Sequence, residues 1–96
     1  MLINKDSLYI MLDKLSTGKL KIIGYLASRE IAMLTEIMRN AGLSHMYCKR
    51  YLRELVEDGI VEEIQLGKRI LFRLKKENPF VFTIARLVSV LAVEYI

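Results

Sequence analysis

One cysteine, Cys48, stands in this 96-residue chain, which excludes an intrachain disulfide and fits a reducing, cytoplasmic setting. One histidine, His45, accompanies it. A structural zinc site wants four ligands, so neither a metal nor another cofactor is expected. No Ser/His/Asp set, carboxylate pair or phosphate-cradling loop is present, and the chain is not expected to be an enzyme. Proline occurs once, at Pro79, and repeats, low-complexity tracts and long linkers are missing, which leaves one domain over 1–96. The opening MLINKDSLYIML lacks a basic segment, a long apolar run and a small-residue cleavage site, so no secretory signal is expected. The only candidate membrane segment is 80–96, which carries Arg86 near its middle and Glu94 near its end. Spanning takes about 20 apolar residues and a central Arg costs roughly 2.5–3.5 kcal/mol, so a membrane partner is not expected.

What the chain has in surplus is apolar character: 53% of its residues are hydrophobic, above the roughly 45–50% of ordinary domains. A chain this short has little interior, so the excess calls for a partner subunit. Lys and Arg number 15 against 11 Asp and Glu, a net charge of +4. The bases cluster at Lys49, Arg50, Arg53, Lys68, Arg69, Arg73, Lys75 and Lys76, with Glu54, Glu57, Asp58, Glu62 and Glu63 interleaved. Such a localised basic patch is the footprint of a polyanion partner.

Periodicity divides the chain into an N-terminal helix over 5–18, a core over 19–76 and a C-terminal helix over 79–96. Leu8, Met11, Leu12 and Leu15 share one face of the first helix, which Ser16-Thr17-Gly18 is expected to close. A second helix over 19–28 turns Leu20, Ile23, Leu26 and Ala27 inward, with Gly24 admitting a close neighbour. In 29–33, Ile31 is expected to pair as a minimal strand. A third helix over 34–40 buries Leu34, Ile37 and Met38, with Thr35 as its N-cap or first-turn residue. After the turn at 40–42, Ser44 is suited to cap a helix over 44–58 whose inner stripe is Cys48, Leu52 and Leu55. Gly59 follows, at a position that favours left-handed backbone. Two β-type runs, 60–65 and 69–74, meet at Leu66-Gly67-Lys68 as a hairpin. Asn78-Pro79 starts the last helix. The fold class is mainly α with a small β-hairpin, α+β.

This order of elements, with L-S-x-x-x-C-x-x-x-L-x-x-L-x-x-x-G-I-V over 43–61, resembles the winged helix-turn-helix superfamily. It looks most like the small dimeric regulators of the ArsR, PadR and MarR-like kinds, including short forms found in archaea and their plasmids and viruses. The resemblance covers about 19–76 and rests on the turn, the hydrophobic register, Gly59 and the Gly67 hairpin together. It implies that the helix over 44–58 enters the major groove of double-stranded DNA, that Gly67-Lys68-Arg69 is a wing following the backbone or minor groove, and that the terminal helices dimerise.

The residues themselves point the same way. With Cys48 at the centre of the buried face, the 3.6-residue period turns Met46, Arg50, Arg53 and Glu57 nearly opposite, with Lys49 at the flank. Arg50 offers a fork to guanine O6/N7, and Met46 apolar contact to a thymine methyl. Lys49 and Arg53 suit phosphates. Ser44, His45 and Tyr47 occupy the first turn, where the helix dipole favours an anion. Cys48 is expected to pack as a small hydrophobe and Tyr51 to lie against the core. Along 80–96 only Thr83, Arg86 and Ser89 interrupt the apolar circumference, so that helix is buried on more than one side. The expected homodimer packs Ile84, Leu87, Val88, Leu91 and Tyr95 against their equivalents and against Leu8, Met11, Leu12 and Leu15. Two other functions fit the same sequence. One is a protein-interaction module that docks a partner through the C-terminal helix or wing, and the other an architectural or partition protein that coats DNA with little sequence preference.

Overall fold

The computed structural model describes residues 15–94, and the side chains of 15–90. The expected N-terminal helix, with Leu8, Met11 and Leu12, lies outside the described residues except for its last positions, as do the Leu91 side chain and Tyr95. The elements run α1 (Thr17–Ser28), β1 (Ala32–Met33), α2 (Leu34–Ala41), α3 (His45–Glu57), β2 (Val61–Leu66), β3 (Arg69–Leu74) and α4 (Pro79–Glu94). The strands form one antiparallel sheet in the order β1-β3-β2. This is a mainly helical α+β fold with a hairpin wing.

Residues 16–18 open a helix where the sequence suggested a stop. The Ser16 Oγ accepts a hydrogen bond from the Lys19 N–H at 3.3 Å, and Thr17 and Gly18 form the first turn of α1. Gly18 is needed for space: a Cβ there would stand 2.5 Å from Cε2 of Tyr51. The buried face of α1 is Lys19, Ile22, Ile23 and Leu26, while Leu20 and Ala27 are only half-buried. Helices α2, α3 and α4 all pack on α1, which centres its inner face on Ile22 and Ile23. A Cβ at Gly24 would meet Val88 Cγ1 at 3.0 Å, so this glycine permits the close approach of α4.

The minimal strand forms one residue later than expected. Ala32 pairs with Phe72 and Met33 with Leu71, which turns Ala32 inward and leaves Ile31 exposed. Because side chains alternate along a strand, a shift of one residue exchanges the faces. Met33 is the N-cap of α2, its N–H donating to Glu36 Oε1 at 3.1 Å, and Thr35 falls in the first turn. Tyr25 Oη and Arg29 Nη2 also donate to Glu36, at 2.8 and 3.3 Å, which ties the end of α1 to the start of α2. These donors hold the Glu36 carboxyl below its ordinary range, the Met33 N–H contributing most. Ile37 is fully buried in α2, with Leu34 and Met38 half-buried against the core. Gly42 ends the helix at φ 66°, and Leu43 N–H returns to Met38 O at 3.1 Å.

Helix α3 follows the expected outline. Ser44 Oγ accepts from Tyr47 N–H at 3.3 Å; Cys48, Leu52 and Leu55 are buried; Gly59 sits at φ 76° while Ile60 N–H returns to Leu55 O at 2.9 Å. In the hairpin, Val61, Phe72 and Leu74 face the core, and Gly67 turns the tip at φ 62°. At the hairpin's base Arg73 pairs with Glu62 and Glu77, so this base of the basic cluster is neutralised within the fold. Asn78 Oδ1 accepts from Phe80 N–H at 2.9 Å, and Pro79 occupies the first turn of α4. Val81, Ile84 and Ala85 bury that helix against the core. No helix among the described residues is long and apolar enough to cross a membrane.

Candidate nucleic-acid interface

With Cys48, Leu52 and Leu55 turned into the core, α3 can only turn His45, Met46, Lys49, Arg50 and Arg53 outward. These five line one shallow hollow on the protein surface. Met46, 69% exposed, is a large apolar side chain held in water among four potential cations or donors. Nothing in folding rewards that placement. Ser44 is exposed, but its Oγ accepts the Tyr47 N–H, so its first duty is to cap α3. Tyr47 projects from the first turn with its ring centroid 5.9 Å from that of Tyr51. Tyr51 itself is half-buried over Gly18.

The hairpin stands beside this face. Lys49, Arg53 and Val56 of α3 and Glu63, Ile70 and Phe72 of the hairpin line a common cleft. Beyond it the exposed tip carries Lys68 and Arg69. Leu66 and Ile70 flank them, 59% and 45% exposed, because the hairpin extends past the core that covers Phe72 and Leu74. Alternation with Phe72 and Leu74 marks Ile70 as inward, and the structure corrects this, because the outer end of the hairpin has nothing to pack on.

Sequence reasoning also missed the charge network behind α3. Lys19 is 6% exposed, and its Nζ lies 2.7 Å from Glu54 Oε1. The other carboxylate oxygen, Oε2, stands 3.4 Å from Arg50 Nε. Lys19, first among the causes, holds the Glu54 carboxyl below its ordinary range, with Arg50 adding to the effect. The available signal was a lysine three residues before Ile22 on the apolar stripe of α1, together with Arg50 and Glu54 one turn apart.

Cys48 has no exposed surface, and burial pushes its thiol up. His45 is exposed on the outer side of the same helix, so the two do not share a site. Among the described residues no three or more His, Cys, Asp or Glu side chains gather to hold a metal.

The expected dimer residues divide. Ile84 is 3% exposed within a single chain and belongs to the protomer's own core, which corrects its assignment to an outer face. Val88 is half-buried against Gly24, and Leu15 is half-buried against the core. Leu87 is 53% exposed, and Phe82 and Val90, not expected from the sequence, are exposed to a similar degree. A helix apolar all round has no phase to read, and α1 decides which side is spent internally.

The family model described as winged helix-turn-helix DNA-binding matches residues 19–62. Among solved structures the chain is similar to the transcriptional repressor BigR from Xylella fastidiosa, with 22% identity and a TM-score of 0.82 over 93% of this chain and 87% of that one. It is similar to the MarR family transcriptional regulator SPO1453 from Silicibacter pomeroyi DSS-3, with 14% identity and a TM-score of 0.72 over 90% of this chain and 60% of that one. A third is Lactococcus lactis ZitR in complex with DNA, with 18% identity and a TM-score of 0.69 over 80% of this chain and 52% of that one. The chain thus spans only 60% and 52% of the last two proteins. No protein of curated function matches it in sequence.

Proposed function

We propose that this chain, a winged helix-turn-helix protein by fold and by its match over 19–62, is a transcriptional regulator that binds double-stranded DNA sequence-specifically as a homodimer. The observation that carries the reading is the convergence of His45, Met46, Lys49, Arg50 and Arg53 on one exposed face of α3, beside a hairpin tipped by Lys68 and Arg69. Helix α3 lies in the major groove, where Arg50 and Met46 meet base edges. Lys49 and Arg53 hold phosphates, as do Ser44, His45 and Tyr47 at the first turn. The wing places Lys68 and Arg69 on the backbone or minor groove. Dimerisation uses α4, whose exposed Phe82, Leu87 and Val90 account for part of the apolar surplus. Two recognition helices related by a two-fold axis read half-sites about 34–36 Å apart. Regulation is then by occupancy of a promoter. BigR, a transcriptional repressor, and SPO1453, a transcriptional regulator, support the regulatory role, and ZitR, in complex with DNA, supports the DNA ligand.

Selection of bound fragments from a genomic duplex pool, followed by substitution, tests this. Arg50→Ala relaxes base preference at one position of each half-site by about 5- to 150-fold, the worth of a bidentate contact. Lys68→Ala weakens all sequences alike and lowers the salt slope by about one. An Arg50→Ala protein with unchanged preference and function contradicts sequence-specific reading through α3. It favours the interaction module, or the coating of DNA with little preference, in its place.

A further inference from the structure

A base-reading arginine discriminates only if its fork is aimed, and an exposed side chain 68% in solvent is not aimed by packing. Arg50 has a neighbour that aims it. Glu54 lies one helical turn further along α3 and brings Oε2 to 3.4 Å from Arg50 Nε. An exposed pair of this spacing, left to itself, holds a long side chain weakly. This pair is not left to itself. Glu54 Oε1 is fixed at 2.7 Å by Lys19 Nζ, whose side chain is 7% exposed and comes from a different helix. The carboxylate is thereby anchored to the core of the fold.

Resting on the DNA-binding reading above, we propose that Glu54 is a specificity-determining positioning residue: anchored by Lys19, it occupies Arg50 Nε and presents the guanidinium end-on to guanine. The guanidinium is planar with five donors in a fixed fork. With Nε engaged by the protein, the Nη1 and Nη2 donors form the remaining edge, and that edge matches the O6 and N7 acceptors of guanine in the major groove. Glu54 adds a second element. A carboxylate beside the groove repels phosphate and the acceptor edge of a misplaced guanine, so it favours one register of α3 over its neighbours. Lys19 is buried and takes no part in DNA contact; its function is to deny Glu54 other conformations.

Duplex selection from a randomised pool, on full-length wild type, Arg50→Ala, Glu54→Ala and the double variant Lys19→Met/Glu54→Ala, tests the assignment. The double variant leaves no buried ammonium facing the lost carboxylate and guards against misfolding of the single one. The expected result is that Glu54→Ala and the double variant lose guanine preference about tenfold, at the position that Arg50→Ala also relaxes. Affinity for non-specific duplex stays equal or rises in Glu54→Ala, where a negative charge has gone, and stays equal in the double variant, where the Lys19 charge goes with it. A folding defect would lower both affinities together. In free protein, the Arg50 Nε–H resonance, slowed in exchange by Glu54, averages into the solvent-exchanging pool in both variants. Guanine preference retained by both Glu54 variants at the Arg50-dependent position overturns the positioning role and leaves the DNA reading intact. Absence of any Arg50-dependent base preference overturns sequence-specific reading through α3 and this inference with it.

Discussion

Leu52→Ala and Met46→Ala, two truncations on one helix, should differ by several kcal/mol. Leu52 is 1% exposed on the inner face of α3, and Met46 is 69% exposed on the outer face. Truncating Leu52 removes three carbons, about 0.8 kcal/mol each in transfer, or about 2.4 kcal/mol. A cavity adds to that, and Leu to Ala changes in cores run roughly 2–5 kcal/mol. Leu52 also borders the cleft between α3 and the hairpin, so part of the void opens to water and the lower half of that range applies. We expect about 3 kcal/mol, a large share of the 5–15 kcal/mol typical of a domain. In a domain of this size that lowers Tm by about 12–24 °C. Met46→Ala should lie within about 0.5 kcal/mol of wild type, as surface changes do. Urea titrations at one protein concentration, followed by circular dichroism, measure both. A Leu52→Ala cost under about 1 kcal/mol, or an equal cost for Met46→Ala, would refute the assignment of the two faces of α3.

Three further outcomes follow from the packing and the charges. Leu87→Arg should convert a dimer to monomer in light scattering with helix content unchanged, whereas Ile84→Arg should unfold the chain; a Leu87→Arg protein that stays dimeric removes α4 from the interface. Glu36 and Glu54 have depressed pKa values in the fold, so the stability they add is present above the ordinary carboxylate pKa and is lost as pH falls from about 4.5 through their folded values. The Glu36→Gln/Glu54→Gln protein should therefore show a shallower loss of stability on acidification, and an unaltered acid limb in urea titrations between about pH 2 and 6 would contradict this. Cys48, with no exposed surface, should react with a disulfide reagent only as fast as the fold opens, and rapid labelling of the native protein would place it outside the core.

The outline of α3 was legible because its signals are local and agree. Ser44 supplies a cap, Cys48, Leu52 and Leu55 keep one register, and Gly59 takes the left-handed position at φ 76°. Gly67 marked the hairpin for the same reason. Residues 16–18 failed because serine, threonine and glycine serve equally to end one helix and to begin another. In the fold Ser16 caps the helix that follows, and Tyr51, distant in sequence, fills the space over Gly18. Ile84 was placed outward because 80–96 offers no polar face wide enough to set a phase; contact with α1 sets it. On the interface, the outward set of α3 follows from helical geometry alone. The Lys19 to Glu54 anchor does not, since it joins two helices through tertiary packing, and a lysine near a helix start reads from sequence as solvent-facing.

The measurement closest to the central claim is fluorescence anisotropy of the protein against labelled genomic duplex across a salt series. A dimer that neutralises roughly six to ten phosphates should bind tightly at about 50 mM salt and lose about 10³–10⁵ in affinity by about 200 mM. No binding even at the lowest salt would contradict the account and shift attention from α3 to the exposed face of α4.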